Sequence, residues 1–165
     1  MLGFNADEIF RIGMEIELNG KAFYQAAVES SVDKEAKAIF EYLRDEEAKH
    51  YDIFSKMRGK LPEGAKAQTV FDPDDEMALY IKALADSRVF TTESEAARVA
   101  KSCKTPVEVL RAAFQFEKDT ILLFESMKKV TKVEWGQEKI DDLIDEEKGH
   151  IRKISAILSK IMKNN

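Results

Sequence analysis

The chain carries two histidines, His50 and His150, and each closes the same frame: Asp45-Glu46-Glu47-Ala48-Lys49-His50 and Asp145-Glu146-Glu147-Lys148-Gly149-His150. Each frame contains Glu-x-x-His. Positions three apart on a helix share a face, so carboxylate and imidazole point the same way and can grip one metal ion. The repeat extends upstream. Glu17 stands 30 residues before Glu47 and Glu117 stands 30 before Glu147, so matching positions of the two halves lie 100 residues apart. The interval has a geometric reading, because breaks near Val32 and Lys132 fall at its midpoints. About 15 residues up one helix and about 15 down the next cover the same ~22 Å at about 1.5 Å per residue. Each hairpin thus brings its two glutamates to one height. Two hairpins packed together place four Glu and two His in one layer.

Caps and breakers divide the chain accordingly. Asn5, followed by Ala6, Asp7 and Glu8, opens a helix that should run to about Ser30. Ser31-Val32-Asp33 breaks it and caps a second helix from Lys34 to about Arg58, with Gly59 as the expected C-cap. Residues 60–75 read as a loop, with Pro62, Gly64, Pro73 and an acidic cluster at Asp72, Asp74 and Asp75. A shorter helix should follow from about Asp75 to Ser87, then a brief one from Glu93 to Lys101 capped by Thr92. Thr105-Pro106 starts a third long helix reaching about Val130, and a fourth runs from about Glu134 to Met162. No two-residue alternation is long enough for a strand. The expectation is all-α: one domain over residues 1–165, built of two long helical hairpins joined by a crossover of about 45 residues with small helices of its own.

Burial of the polar layer follows from its neighbours. Phe40, Leu43, Glu47, His50, Phe54 and Met57 form one seam, and Ile140, Leu143, Glu147, His150, Ile154, Ile157 and Ile161 form its counterpart, both at alternating spacings of three and four. Glu117 sits between Leu110, Phe114, Ile121 and Phe124. Glu17 shares a seam with Phe10, Gly13, Gly20 and Tyr24, where the glycines would allow close backbone approach. Glu46 and Glu146 fall one position off the seam and should be solvated. Four carboxylates crowded in a core would repel one another, and each ionised group would cost several kcal/mol of the order expected for buried ions. Two divalent cations balance four glutamates to zero charge, so the pattern points to a buried dimetal site.

This ligand pattern resembles that of the ferritin-like di-iron carboxylate superfamily, in which two helices each give one Glu and two others each give Glu-x-x-His. Within it, the segments Glu17 to Tyr24 and Asp45 to His50 are most similar to the rubrerythrin-like group, and the resemblance covers nearly the whole chain. It implies a ferritin-like four-helix bundle with a long helical crossover between helices 2 and 3. It implies two iron ions, with manganese or a mixed pair as the alternative. Glu17 and His50 would be terminal ligands of one ion, Glu117 and His150 of the other, and Glu47 and Glu147 would bridge them. Tyr24 matches a tyrosine often found near such sites; Phe124 occupies the corresponding position of the second half. Two departures stand out. The single cysteine, Cys103, cannot build a rubredoxin centre, and Thr120 stands where rubrerythrins place an additional glutamate.

The resemblance implies a di-iron oxidoreductase that reduces hydrogen peroxide or dioxygen with electrons from an external donor protein. The same ligands would serve ferroxidase activity and iron handling, although the long crossover differs from that of storage ferritins. A helical scaffold with a structural metal is the third reading. With 26 basic and 31 acidic residues and a net charge of −5, the chain offers little to a nucleic acid. No apolar run spans a bilayer and no secretory signal opens the sequence, which makes a cytoplasmic protein the expectation. One cysteine excludes an internal disulfide framework. Its neighbours Lys101 and Lys104 could lower the Cys103 pKa, but the expectation is an ordinary exposed or half-buried thiol, and Trp135 should be a packing residue. Ile9, Ile12 and Ile16 read as an exposed apolar seam compatible with a homodimer.

Overall fold

The computed structural model describes residues 5–64, 76–87 and 90–163. Among them are six α-helices and no strand: α1 (Ala6–Ser30), α2 (Lys34–Gly59), α3 (Glu76–Asp86), α4 (Glu93–Ser102), α5 (Pro106–Val130) and α6 (Gln137–Lys163). The starts follow from local chemistry. Asn5 accepts from the Glu8 amide while the Glu8 carboxylate accepts from the Asn5 amide, each at 2.9 Å, which closes a capping box. Asp33, Thr92 and Thr105 cap α2, α4 and α5 through their side-chain oxygens, and Pro106 occupies the first turn of α5.

Several element ends differ from expectation by a residue or a few. Gly59 is the last helical residue of α2, and Lys60 is the C-cap. The fourth long helix begins later than Glu134, because Val133–Trp135 forms a 3-10 turn closed by Gly136 at φ 100°, a left-handed conformation favourable to glycine. The brief helix continues to Ser102. The acidic cluster at Asp72, Asp74 and Asp75 lies outside the described residues.

Helices α1 and α2 pack as one hairpin, α5 and α6 as the other, and the hairpins meet through α1 against α5 and α2 against α6. Ion pairs at the ends register the elements. Arg58 at the end of α2 makes a two-pronged bond to Asp7 at the start of α1, at 2.7 and 3.0 Å, and Lys160 near the end of α6 meets Glu35 at the start of α2 at 2.7 Å. In the crossover, α4 lies along α1 and α3 along α5. Phe90, just before α4, inserts between Phe23 and Phe116 with ring centroids 5.3 and 4.8 Å away.

The core is rich in aromatic rings: Phe10, Phe23, Tyr24, Phe40, Phe54, Phe90, Phe116 and Phe124 are fully buried. Each contributes about 1.5–3 kcal/mol of burial free energy, which offsets the cost of enclosing charge among them. Two seam assignments change. Ile9 and Ile16 are buried within the chain, so they are not an exposed face. On α5 the stripe beside Glu117 is Ala113, Phe116, Thr120, Leu123 and Phe124, whereas Phe114 and Ile121 are half-buried. No described helix is long and apolar enough to cross a membrane.

Candidate metal centre

The six singled-out side chains converge halfway along the bundle, where Glu17, Glu47, His50, Glu117 and Glu147 are completely buried and His150 nearly so. Each long helix supplies its share: Glu17 from α1, Glu47 and His50 from α2, Glu117 from α5, and Glu147 and His150 from α6. Donor atoms of Glu17, Glu47, His50 and Glu147 all lie within 4.8 Å of one another, and so do those of Glu47, Glu117, Glu147 and His150. The two groups overlap in Glu47 and Glu147.

Close packing makes this convergence possible. A Cβ at Gly20 would stand 2.6 Å from Glu47 Oε2 and 2.8 Å from Phe116 Cε1, and one at Gly13 would stand 2.8 Å from the Phe54 ring. Side-chain contacts are excluded at such distances, so glycine on α1 creates the room that Glu47 occupies.

Unsatisfied atoms test whether cations suit the cluster. Both oxygens of Glu17, Glu47 and Glu147, Oε2 of Glu117 and Nδ1 of both histidines are buried without a hydrogen-bond partner among the described residues. His50 Nδ1 is 2.8 Å from Glu147 and 3.6 Å from Glu17; His150 Nδ1 is 2.7 Å from Glu147 and 3.7 Å from Glu117. The two close approaches lack hydrogen-bond alignment, and the two longer ones are beyond hydrogen-bond reach. Orphaned buried polar atoms each cost about 1–3 kcal/mol, more when charged. A set of carboxylate oxygens and imidazole nitrogens with that many open lone pairs fits two divalent cations of the iron or manganese type.

Without cations the cluster balances its charge with protons. Burial disfavours charging His50, but the adjacent Glu147 and Glu17 carboxylates overcome it and raise the pKa to about 12. Burial opposes charging His150 as well, yet Glu117 and Glu147 raise it to about 10. Burial and the Glu147 charge push Glu117 up to about 8, and burial with three neighbouring carboxylates pushes Glu47 well up. Burial works to raise Glu147 too, but its two flanking imidazoles hold it well below the usual carboxylate range.

Around this layer lie groups that touch its members. The Tyr24 hydroxyl donates to Glu117 Oε1, so a residue of the first half serves a glutamate of the second. Thr120, one turn past Glu117, is fully buried with its hydroxyl unpartnered. Glu146 has its side chain 48% exposed, as expected off the seam, yet its Oε2 lies 2.9 Å from His50 Nε2. Glu46 departs from expectation, since its side chain is only 14% exposed and pairs with Lys49 at 2.5 Å. The Glu146 contact is beyond the reach of the sequence pattern, because it crosses between α2 and α6 while the repeat describes spacing within each helix. Cys103 is half-buried and donates to the Val99 carbonyl at 3.3 Å, and burial raises its pKa rather than lowering it. Trp135 is half-buried, with Lys132 Nζ 4.6 Å from its ring centre.

No protein-family model and no curated protein matches this chain. A solved structure does: the 2.30 Å crystal structure of a Thermotoga maritima protein, provisionally described as a ferritin-like diiron-carboxylate protein, is 27% identical, covers 95% of this chain and 96% of its own, and superposes with a TM-score of 0.72. The helical bundle described above is therefore a ferritin-like fold. The likeness, together with the buried carboxylate and histidine cluster, supports placement in the ferritin-like di-iron carboxylate superfamily.

Proposed function

We propose that this ferritin-like chain is a rubrerythrin-like, non-haem di-iron oxidoreductase that reduces hydrogen peroxide or dioxygen with electrons from an external donor. The observation that carries the reading is the pair of overlapping donor groups sharing Glu47 and Glu147. Glu17 and His50 would hold one ion, Glu117 and His150 the other, and the shared glutamates would bridge them. Two ferrous ions, when bound, supply the two electrons that reduce an O–O bond. The chain does the rest. Its aromatic core excludes water from the layer. Tyr24 holds a hydroxyl proton at Glu117 Oε1, next to the position where reduction consumes protons.

The test is to load the protein anaerobically with Fe(II), remove excess metal and mix it with peroxide or with air-saturated buffer. Oxidation by peroxide faster than by air supports the proposal. Rapid consumption of dioxygen with continued turnover of added Fe(II) would favour iron handling instead, and inertness toward both oxidants would overturn a redox role. Glu47→Ala, which removes a bridging ligand, should abolish retention of both ions, as read by metal analysis of folded protein. Full metal content in that variant would contradict the bridging assignment. Size-exclusion chromatography separates a small assembly from a large hollow cage, and a cage would point to storage.

A further inference from the structure

The two halves of the cluster differ around their histidines, and the difference originates at one repeat position. Lys49 in the first frame corresponds to Gly149 in the second. Lys49 is exposed and holds Glu46 through a 2.5 Å contact. Gly149 has no side chain to hold Glu146, and the adjacent Lys148 pairs with Asp145 at 3.1 Å. Glu146 therefore reaches across to His50 Nε2 at 2.9 Å. The symmetric contact, Glu46 to His150 Nε2, is not made: His150 Nε2 is buried and has no hydrogen-bond partner among the described residues, although Glu46 places an oxygen within 4.8 Å of a ring nitrogen of each histidine. An outer carboxylate fixes the tautomer of a metal-binding histidine with its inner nitrogen unprotonated, and it strengthens that nitrogen as a donor. Among the described residues, His50 has this support and His150 does not. A second asymmetry acts in the same direction. Glu117 shares Oε1 with the Tyr24 hydroxyl, while Glu17, whose counterpart tyrosine position is Phe124, keeps both oxygens unpartnered.

From this we infer that the two metal positions are unequal: the Glu17–His50 position takes the first divalent cation and holds it more tightly, and Lys49 maintains the difference by keeping Glu46 from His150. The inference rests on the dimetal reading above. It makes Glu146 a positioning residue for one ion and Lys49 a residue that keeps the other exchangeable.

Titration of the metal-free protein with Co(II), followed by calorimetry and by visible absorption, tests it without recourse to activity. Two binding steps are expected, separated by about tenfold to a hundredfold in affinity, the usual reach of such outer partners. Glu17→Ala should remove the tighter step and Glu117→Ala the weaker. Glu146→Gln should weaken the tighter step by at least about tenfold, with helical circular dichroism unchanged. The exposed substitution Lys49→Met frees Glu46 and should tighten the weaker step, drawing the two together. Two indistinguishable steps in the wild-type chain, or loss of the tighter step in Glu117→Ala, would overturn the inequality, and no response to Lys49→Met would overturn the role given to Lys49, each while leaving the dimetal site intact. Absence of any Co(II) binding by the folded wild-type chain would overturn the dimetal reading itself, and this inference with it.

Discussion

Gly20 shows how a single position governs the cluster. Its missing Cβ is the space in which Glu47 and Phe116 meet α1. Gly20→Ala should therefore cost about 1–3 kcal/mol of stability by overpacking and lower the retained metal, measured by urea unfolding and metal analysis of one preparation. At Gly59 a Cβ would meet nothing within 4 Å, so Gly59→Ala should leave metal content unchanged and alter stability by less than about 1 kcal/mol. Both glycines on the Glu17 seam were legible from the sequence as points of close approach, since they interrupt an apolar stripe on a helix that otherwise has no reason to carry them. The Glu146 contact was not legible, because spacing within one helix does not say which outer side chain of a neighbouring helix will reach the back of a histidine.

At the scale of elements, the crossover helix α4 is held on α1 by small side chains. Its buried residues are Ala96 and Ala100, both completely enclosed. Two alanines four residues apart leave a smooth strip that permits helices to approach closely. Ala96→Leu should force α4 away from α1 and destabilise the protein by about 1–3 kcal/mol, seen as a lower urea midpoint. Little effect would mean that α4 does not depend on that close fit. Caps, prolines and apolar spacing revealed the four long helices to within a few residues, because those signals are local. The start of α6 was less legible: the 3-10 turn depends on Gly136 adopting a left-handed conformation against Met57 of α2, whose Cε is 3.1 Å from the Cβ that a larger residue would carry.

On the dimetal reading proposed above, the molecule as a whole would couple metal binding to protons. In the metal-free state at neutral pH, His50 and His150, raised to about 12 and about 10, carry protons, and Glu117, raised to about 8, is largely protonated. Metal ligands bind in their deprotonated forms, so the cations must displace these protons. Affinity should therefore rise as pH increases from about 6 to about 9, and binding should release protons. Calorimetry in buffers of different ionisation enthalpy reads this directly; a heat of binding independent of buffer would contradict it. Metal bound at the proposed site should also raise the melting temperature, because the unfolded chain cannot bring the six side chains together.

The amino-acid order alone determined the helical class, the hairpin repeat and the identity of the six converging side chains, because the spacing of Glu17, Glu47, His50 and their counterparts acts through the rise and periodicity of a helix. Tertiary structure alone decided how the two halves differ: Tyr24 meets Glu117 of the opposite hairpin, Glu146 reaches His50 Nε2, and Lys49 pairs with Glu46. Those contacts join helices whose relative rotation and separation arise from packing the whole core, and no local periodicity encodes them.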